Sequence, residues 1–394
     1  MDARAPDALA AWRALAEPGC GAMLADLAGL ESSPAPSVIE RLRRTHAAPV
    51  VAAAVELSLA RTRARARFGE RAGTLWCDRP GAEMASAPEV ARLKAARFRA
   101  AGAEAIDDLC CGIGGDLMAL ATVAQATGID LDPVRACMAG MNAGTAVRCA
   151  DAVAAPGDAP FAHADPARRA GGARIARTED LLPPLGAIMP GLRSRRGAAV
   201  KLGPGMDLAP AERAPADEVE FISHRGTLVQ QVLWTGALAA APGMNTATQA
   251  DAGHTITGAP GMPEARPGMQ RFLLVPDPAL ERARLLAPVA DALGAAEAAP
   301  GLGILTGERP PAGPMAAWTE AFEVVEELPA RERTLAAWLA ARGAGIVTVR
   351  TRGGACDPDA WQRALRGPGS DPWTVFVLRL GSDRRAYAVR RVEA

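Results

Sequence analysis

The feature that most constrains the fold is a glycine-rich turn between a strand-like and a helix-like segment. Residues 105–111 have the pattern of a buried strand, residues 112–115 are Gly-Ile-Gly-Gly, and a helix is predicted from Asp116 to about Gln125. Glycines let the backbone turn sharply and approach a ligand closely. A strand, a glycine turn and a helix in this order are typical of a parallel sheet with helices on both faces. We therefore predict an α/β fold with a ligand site beyond the carboxyl ends of the strands.

The alternation of strands and helices continues after this turn. Asp132 and Pro133 are predicted to open the next helix, as its cap and its first residue. Further strands are predicted over 127–130, 146–151, 161–165, 198–202, 219–223 and 228–234. Residues 240–270 are rich in Gly, Pro and Ala and carry little pattern, so we expect an irregular excursion there.

A chain of 394 residues is too long for one ordinary core, so its length predicts two or three domains, and the changes of pattern along the chain favour three. Residues 1–100 are expected to form a helical region, 101–312 the domain with the parallel sheet, and 313–394 a small α+β module. One helix is predicted from Pro278 to about Leu293.

Two details of the helical region concern the starts and faces of its helices. Ser37-Val-Ile-Glu40 matches a capping box that would open a helix. A later helix, beginning near Ser86, carries a basic stripe, which we interpret as a solvated face rather than an RNA contact. The stripe consists of Arg92, Lys94, Arg97 and Arg99.

Composition narrows the class of protein. The chain is 49% hydrophobic and 22% charged with a net charge of zero, which favours a globular fold and argues against a strong nonspecific grip on nucleic acid. No apolar run reaches membrane-spanning length and the N-terminus lacks the order of a signal peptide, so we expect a cytoplasmic protein without a membrane partner. The seven irregularly spaced cysteines offer no zinc-binding pairs, and no metal is expected. Lys94 and Lys201 are the only lysines, which we attribute to codon bias toward arginine.

The carboxylate before the glycines suggests which ligand the turn holds. Asp108 stands four residues before Gly112 and could accept hydrogen bonds from an ammonium group, such as that of S-adenosylmethionine. A dinucleotide is disfavoured because its fingerprint needs a third glycine where Leu117 stands, and a turn without any ligand stays open as an alternative. Asp130 could bind ribose hydroxyls and Asp151 an adenine amino group. The predicted cofactor-binding residues are Asp108, Cys110, Gly112, Gly114, Gly115, Asp130 and Asp151.

A second signal follows the fourth predicted strand. The predicted catalytic residues are Asp165, Pro166, Arg168 and Arg169. Asp165 could hold the hydrogens of an amine that accepts a methyl group, a reaction whose rate depends largely on positioning. The two arginines could hold a phosphate or a base edge, or equally form local salt bridges. His163 is interpreted as structural, and Lys201 either lines the site or is an ordinary strand-end lysine.

These motifs resemble those of a known group of enzymes. The segment Asp108 to Gly115 resembles motif I of RNA guanine-N2 methyltransferases, and residues 128–133 and 149–151 fit the next two motifs. The segment from Asp165 to Arg169 is similar to the Asp-Pro-Ala-Arg-Arg box of an actinobacterial family of class I methyltransferases with a THUMP-like C-terminal domain. The resemblance implies a Rossmann-like class I methyltransferase sheet with an N-terminal helical region and a THUMP-like domain. It also implies S-adenosylmethionine as cofactor and RNA as substrate, with tRNA as a candidate.

One departure from the RNA amine methyltransferases leaves the acceptor open. Ala167 and Arg168 stand where those enzymes carry a second proline and an aromatic residue that stacks on the flipped base. A small-molecule or protein methyltransferase, or a non-catalytic RNA-binding protein that retains the fold, therefore remains as an alternative. In the C-terminal module, the basic loop 350–354 with Arg363 and Arg366 is either an RNA contact or an ordinary charged face.

Overall fold

The computed structural model describes residues 5–167, 169–170, 173–174, 177–209, 212–214 and 217–392. The chain divides into two compact units. The first unit comprises Met1–His224, Val229–Gly243 and Ala250–Gly253, and the second comprises Arg225–Leu228, Met244–Gln249 and His254–Ala394.

The described N-terminal residues of the first unit are helical, as predicted. The helices are α1 (Ala5–Leu15), α2 (Gly21–Asp26), α3 (Pro36–Arg43), α4 (Ala48–Phe68), α5 (Arg79–Met84) and α6 (Pro88–Ala100), with 3-10 turns at Pro18–Cys20 and Gly69–Gly73. The capping box predicted at Ser37 is wrong. Helix α3 starts at Pro36, with Ala35 as a cap that makes no side-chain hydrogen bond, because proline suits the first helical turn and sets the start by itself.

The remainder of the first unit forms the predicted sheet. Its strands are β1 (Ala105–Leu109), β2 (Gln125–Asp130), β3 (Val147–Cys149), β4 (Phe161–Ala164), β5 (Gly197–Leu202), β6 (Glu218–His224) and β7 (Thr227–Gly236). They are hydrogen-bonded in the order β3-β2-β1-β4-β5-β7-β6. Strands β1 to β5 run parallel, and β7 is antiparallel to β5. The α/β fold class is therefore confirmed.

Among the described residues, three helices lie between the strands, and one of them is shorter than predicted. They are α7 (Leu117–Leu120), α8 (Pro133–Ala143) and α9 (Leu185–Arg193), and short elements lie at Arg169–Ala170, Ala173–Arg174 and Thr178–Asp180. The helix predicted to reach Gln125 ends at Leu120, because the amide of Gln125 already bonds to the carbonyl of Glu104 and begins β2. The start of α8 is confirmed, with Asp132 accepting hydrogen bonds from the amides of Val134 and Arg135.

One aromatic cluster fixes α6 against the sheet. Phe98 is completely buried, and its ring centroid lies 6.3 Å from those of Phe161 and Trp234, in edge-to-face geometry. The guanidinium of Arg97 lies 4.4 Å from the Trp234 ring centroid and pairs with Glu218. This packing holds α6 in place against the sheet, and with it the other buried side chains of the helix.

The second unit begins with a hairpin in the segment for which no pattern was predicted. Strands β8 (Asn245–Gln249) and β9 (His254–Gly258) pair antiparallel, so the expectation of an irregular excursion over 240–270 is wrong there. Threonines face each other across the pair, with 3.0 Å between the hydroxyl oxygens of Thr246 and Thr257. Because these strands carry polar side chains, a prediction based on the alternation of apolar residues does not detect them.

The rest of the second unit is built on another sheet. Its strands are β10 (Phe272–Pro276), β11 (Ala296–Glu297), β12 (Leu305–Gly307), β13 (Thr319–Pro329), β14 (Ala344–Arg352), β15 (Asp371–Leu380) and β16 (Asp383–Arg391). Their order is β11-β12-β10-β13-β16-β15-β14, and only β14 and β15 are a parallel pair among the pairings described. The helices are α10 (Pro278–Ala283), α11 (Leu286–Leu293), α12 (Glu332–Ala340) and α13 (Pro358–Leu365), with a 3-10 turn at Pro314–Trp318.

Two sequence expectations bear on this unit. The single helix predicted from Pro278 to Leu293 is two helices, because Arg284 adopts a left-handed conformation that ends α10. The predicted division at residue 312 stays a prediction. Strand β10 pairs with β13, so residues before that division share a sheet with the C-terminal strands.

We expect Phe98→Ala to destabilise the first unit by about 3–5 kcal/mol, because it leaves a cavity between two aromatic rings. Phe98→Leu, which keeps most of the volume, should cost clearly less. Denaturant unfolding of the full chain measures both. Equal losses for the two variants would contradict the packing role assigned to the ring.

Candidate active site at the carboxyl edge of the first sheet

The glycine turn leaves β1 in an unusual backbone conformation. Cys110, Gly112 and Gly114 have φ angles of 58°, 57° and 85°, in the region that favours glycine. A Cβ on Gly112 would meet no atom within 4 Å, so this residue borders open space. A Cβ on Gly114 would lie 3.1 Å from the Cα of Ala139, and one on Gly115 would lie 3.0 Å from the Cβ of Ala85. The first glycine leaves room for a ligand, whereas the other two let neighbouring segments pack closely.

Asp130 ties this turn to the end of β2. One of its carboxylate oxygens accepts the amide of Gly112 at 2.7 Å and the other the amide of Asp132 at 2.9 Å. Burial raises the pKa of Asp130, and these two amides oppose that shift. Each carboxylate oxygen has a second lone pair, so the group can still accept a ribose hydroxyl.

Asp151 lies just after β3 and is exposed. Its carboxylate accepts the amide of Val153 at 2.7 Å and thereby caps the following turn. Two apolar side chains near the predicted nucleoside-binding aspartates are exposed. Leu131, next to Asp130, is 71% exposed, and Val153, two residues after Asp151, is 44% exposed. An adenine ring could cover such apolar surface.

The predicted catalytic segment begins where β4 ends. The amide of Asp165 donates to the carbonyl of Leu109 at 3.0 Å, so Asp165 lies beside the start of the glycine turn. Its carboxylate is 2.6 Å from the ammonium of Lys201. Pro166 is buried. Arg168 lies outside the described residues.

Arg169 lies in a two-residue strand that pairs with Ala173–Arg174. Between Asp165 and this hairpin, Ala167 exchanges backbone hydrogen bonds with Leu182 at 2.8 and 3.2 Å.

Sequence reasoning missed a buried ionic cluster behind these motifs, which consists of Lys94, Asp108, Asp116, His163, Lys201 and Asp165. The ammonium of Lys94 lies 2.6 Å from Asp116 Oδ1 and 3.3 Å from His163 Nε2. His163 Nδ1 lies 2.7 Å from Asp108 Oδ1. Lys201 lies 3.9 Å from Asp116 Oδ2, besides its contact with Asp165. The cluster thus connects the predicted cofactor carboxylate to the predicted acceptor carboxylate.

The cluster corrects two expectations from the sequence. The basic stripe of α6 is not a uniformly solvated face, because Lys94 is only 1% exposed whereas Arg92 is exposed. Lys201, at 2% exposed, is not an ordinary strand-end lysine reaching into solvent. The signal that could have found both is their rarity, since they are the only lysines of the chain.

Electrostatics differ among the carboxyl groups of the cluster. Burial alone would raise the pKa of Asp116, but the ammonium groups of Lys94 and Lys201 lower it well below its usual range. Burial raises the pKa of Asp108, and this effect outweighs the opposing effect of His163. Asp116 is therefore held as a carboxylate at neutral pH, whereas Asp108 binds a proton more readily than an ordinary aspartate.

The cysteines of the turn are poor nucleophiles. Burial raises the pKa of both Cys110 and Cys111 well above the ordinary thiol value. Both thiols therefore keep their protons at neutral pH, which argues against covalent attack on a pyrimidine ring.

The residues present fit the expected cofactor. Asp108 is completely buried, and no described residue donates a hydrogen bond to its Oδ2. That oxygen keeps its capacity to accept a hydrogen bond from an ammonium group, and Gly112, in the turn that follows Asp108, has open space on its Cβ side. Among the described residues, no three or more His, Cys, Asp or Glu side chains are grouped so as to hold a metal ion. No helix in the described ranges has both the length and the apolar character to cross a membrane.

The basic patch predicted in the C-terminal module is partly engaged. Arg350 pairs with Glu320, and Arg352 lies 3.2 Å from Glu281. Arg363 and Arg366 are exposed. Trp373 is covered by Arg390, whose guanidinium lies 3.7 Å from the ring centroid. The arginines of the patch that are classed as exposed are therefore those of α13 and the residue after it.

Comparison with known proteins gives three similarities. The family described as THUMP domain-like matches residues 319–391. Two Mycobacterium tuberculosis proteins, from strains CDC 1551 / Oshkosh and H37Rv, are described as uncharacterized S-adenosylmethionine-dependent methyltransferases. Each is 34% identical over 352 residues, which cover 86% of this chain and 95% of the relative. A crystal structure of a candidate methyltransferase from Porphyromonas gingivalis W83 is similar in fold, with a TM-score of 0.71, 16% identity and coverage of 98% of this chain and 99% of that one.

We expect Gly114→Ala to destabilise the chain more than Gly112→Ala. Both residues have positive φ angles, but only the new methyl group on Gly114 would press on the backbone of α8. The added overpacking should cost roughly 1–3 kcal/mol. Thermal unfolding of both variants measures the difference, and equal melting temperatures would contradict the separate roles of the two glycines.

We expect Lys94→Met to lower the free energy of unfolding by about 3–5 kcal/mol, because it removes the cation closest to the buried Asp116 and leaves Lys201, at 3.9 Å, as the remaining ammonium. Arg92→Met, on the exposed side of the same helix, is the matched control and should change stability by less than about 0.5 kcal/mol. Denaturant titration distinguishes them. A Lys94→Met protein as stable as the control would show that the ion pair is not needed for folding.

Proposed function

Because this chain belongs to the S-adenosylmethionine-dependent methyltransferases, we propose that it methylates RNA, at a base amine, with Asp165 holding the acceptor. Bound S-adenosylmethionine supplies an electrophilic methyl group. The resemblance to the actinobacterial family and the expected cofactor are confirmed by the 34% identity to the mycobacterial relatives. The substrate, the site residues and a cytoplasmic location are our proposals.

The observation that carries the proposal is the placement of Asp165. Its backbone is bonded to Leu109 at the start of the glycine turn, and one carboxylate oxygen contacts Lys201. The contact with Lys201 orients the carboxylate and leaves lone pairs for other donors. An amino group of a base has two N–H donors, and a carboxylate that accepts one of them directs the nitrogen lone pair toward the methyl donor.

The same carboxylate supports the later part of the reaction. The acceptor nitrogen gains positive charge as its bond to the methyl group forms, and a fixed negative group nearby stabilises that charge. Asp165 is partly exposed, so a proton that it takes from the product amine can pass to solvent. Pro166 has no backbone N–H and a restricted φ, which keeps the strand end rigid and adds no competing donor.

The remaining predicted residues have proposed roles in binding. Asp108 is proposed to hold the cofactor's ammonium group, Asp130 its ribose and Asp151 its adenine amino group. The backbone from Cys110 to Gly115 is proposed to line the methionine part, with Gly112 at the open side. Arg168 and Arg169 are proposed to contact the phosphate or base edge of the substrate.

RNA as the substrate is supported by the THUMP domain-like match over residues 319–391. The exposed Arg363 and Arg366 are candidates for phosphate contacts. The protonated cysteines of the turn favour an amine over a pyrimidine carbon as the acceptor, because methylation of such a carbon uses a thiolate nucleophile.

We expect the full chain to transfer labelled methyl groups from S-adenosylmethionine to unmodified tRNA or total RNA, and Asp165→Asn to lower the rate about 100-fold or more. S-adenosylhomocysteine binding by this variant should stay within a few fold of wild type, because the amide fills the same space. Asp158→Asn, at an exposed aspartate, is the matched control and should retain the activity. Full activity of Asp165→Asn would remove the catalytic assignment. Transfer only to protein or small-molecule acceptors would replace RNA as the substrate.

A further inference from the structure

The two carboxylate oxygens of Asp108 have different surroundings, and strand register explains why. Asp108 lies opposite Gly128 on β2, which offers no side chain, and opposite His163 on β4. Oδ1 contacts His163 Nδ1 at 2.7 Å. Oδ2 is buried, and none of the described residues donates a hydrogen bond to it.

Lys94 fixes the tautomer of His163. An ammonium group has only donors, so His163 Nε2, 3.3 Å from Lys94 Nζ, acts as an acceptor. The imidazole proton is then on Nδ1, where it is donated to Asp108 Oδ1. A doubly protonated imidazole would direct an N–H at the ammonium of Lys94, which is unfavourable in a buried cluster.

The charged groups around Asp108 come from three sides. Lys94 lies on α6, His163 on β4 and Asp116 just after the glycine turn. The positive charge of Lys94 is balanced by Asp116, whose Oδ1 lies 2.6 Å from Lys94 Nζ. Asp108 therefore has a neutral imidazole at Oδ1 and no cation of its own, and a bare carboxylate oxygen at Oδ2 would be costly in this buried setting.

We propose that Asp108 is protonated on Oδ2 when the cofactor is absent, and that the ammonium group of the cofactor replaces this proton on binding. The O–H bond of Asp108 breaks, the proton passes to bulk solvent, and an ammonium–carboxylate contact forms. One positive charge enters as another leaves, so the buried cluster keeps its net charge. His163 and Lys94 act as positioning residues that hold Oδ1 and leave Oδ2 to the ligand. This inference rests on the proposed role of Asp108 in cofactor binding.

The exchange makes cofactor affinity depend on pH in a defined direction. Below the pKa of Asp108 in the cofactor-free chain, which burial raises, binding must expel a proton, and affinity increases with pH by up to tenfold per pH unit. Above that pKa the carboxylate is already ionised, and both the proton release and the pH dependence disappear.

The test uses S-adenosylhomocysteine, which keeps the ammonium group and lacks the reactive methyl group. We would titrate it calorimetrically into the full chain, at each pH in two buffers of different ionisation enthalpy, between about pH 5.5 and 8.5. We expect the release of up to one proton per ligand at the acidic end, falling as pH rises. Binding without proton release at any pH would overturn the proposal.

Two variants identify the source of the proton. Asp108→Asn should bind more weakly and release no proton. His163→Gln can still donate to Oδ1 and accept from Lys94, so it should retain the release. Loss of release in a His163→Gln protein that still binds would assign the proton to the imidazole and contradict the proposal.

A second measurement covers the case in which a variant does not fold. In wild type, the infrared carbonyl band of a protonated carboxylic acid should disappear when S-adenosylhomocysteine binds, and a spectrum without such a change would contradict the proposal. Failure of the RNA proposal is distinguishable, because neither calorimetry nor infrared spectroscopy involves the methyl acceptor. Absence of binding by a folded wild-type chain would overturn this inference together with the assignment of Asp108.

Discussion

The ion pair between Lys94 and Asp116 is the interaction on which the site depends. Lys94 belongs to a helix that precedes the sheet, and Asp116 follows directly after the glycine turn. Both side chains are almost completely buried, where a charge without its partner is strongly unfavourable. Since the same ammonium also contacts His163, one side chain from the helical region helps to set both the turn and the carboxylate of Asp108. The N-terminal helices are therefore part of the site.

The sequence predicted what depends on neighbouring residues and missed what depends on distant ones. The parallel strands and the Asp-Pro cap of α8 were predictable, because periodicity and capping are local. The contact of Lys94 with His163 joins residues 69 positions apart, and no local pattern separates Lys94 from Arg92 on the same helix. Composition held the missing information. A chain that uses arginine almost everywhere keeps two lysines, and both occupy buried positions where a compact ammonium differs from a planar guanidinium.

The glycine motif shows a similar limit. The sequence indicated a turn that approaches a ligand, and the open side of Gly112 fits that expectation. The sequence does not distinguish this ligand-facing glycine from Gly114 and Gly115. Those two glycines lack a side chain because Ala139 and Ala85 pack closely against them. The partners come from another helix and from the segment before α6, so their identity depends on tertiary packing.

Strand β10 has a consequence for how the C-terminal unit could be separated from the chain. It pairs along β13, placing Leu273 opposite Phe322, although the family match begins only at residue 319. A fragment cut at that boundary would carry β13 with an unpaired backbone edge and an uncovered aromatic side chain, which is the combination that promotes aggregation between sheets. A fragment that folds on its own would have to start before Phe272. The segment that can be expressed alone or exchanged between proteins is therefore longer than the family match over residues 319–391.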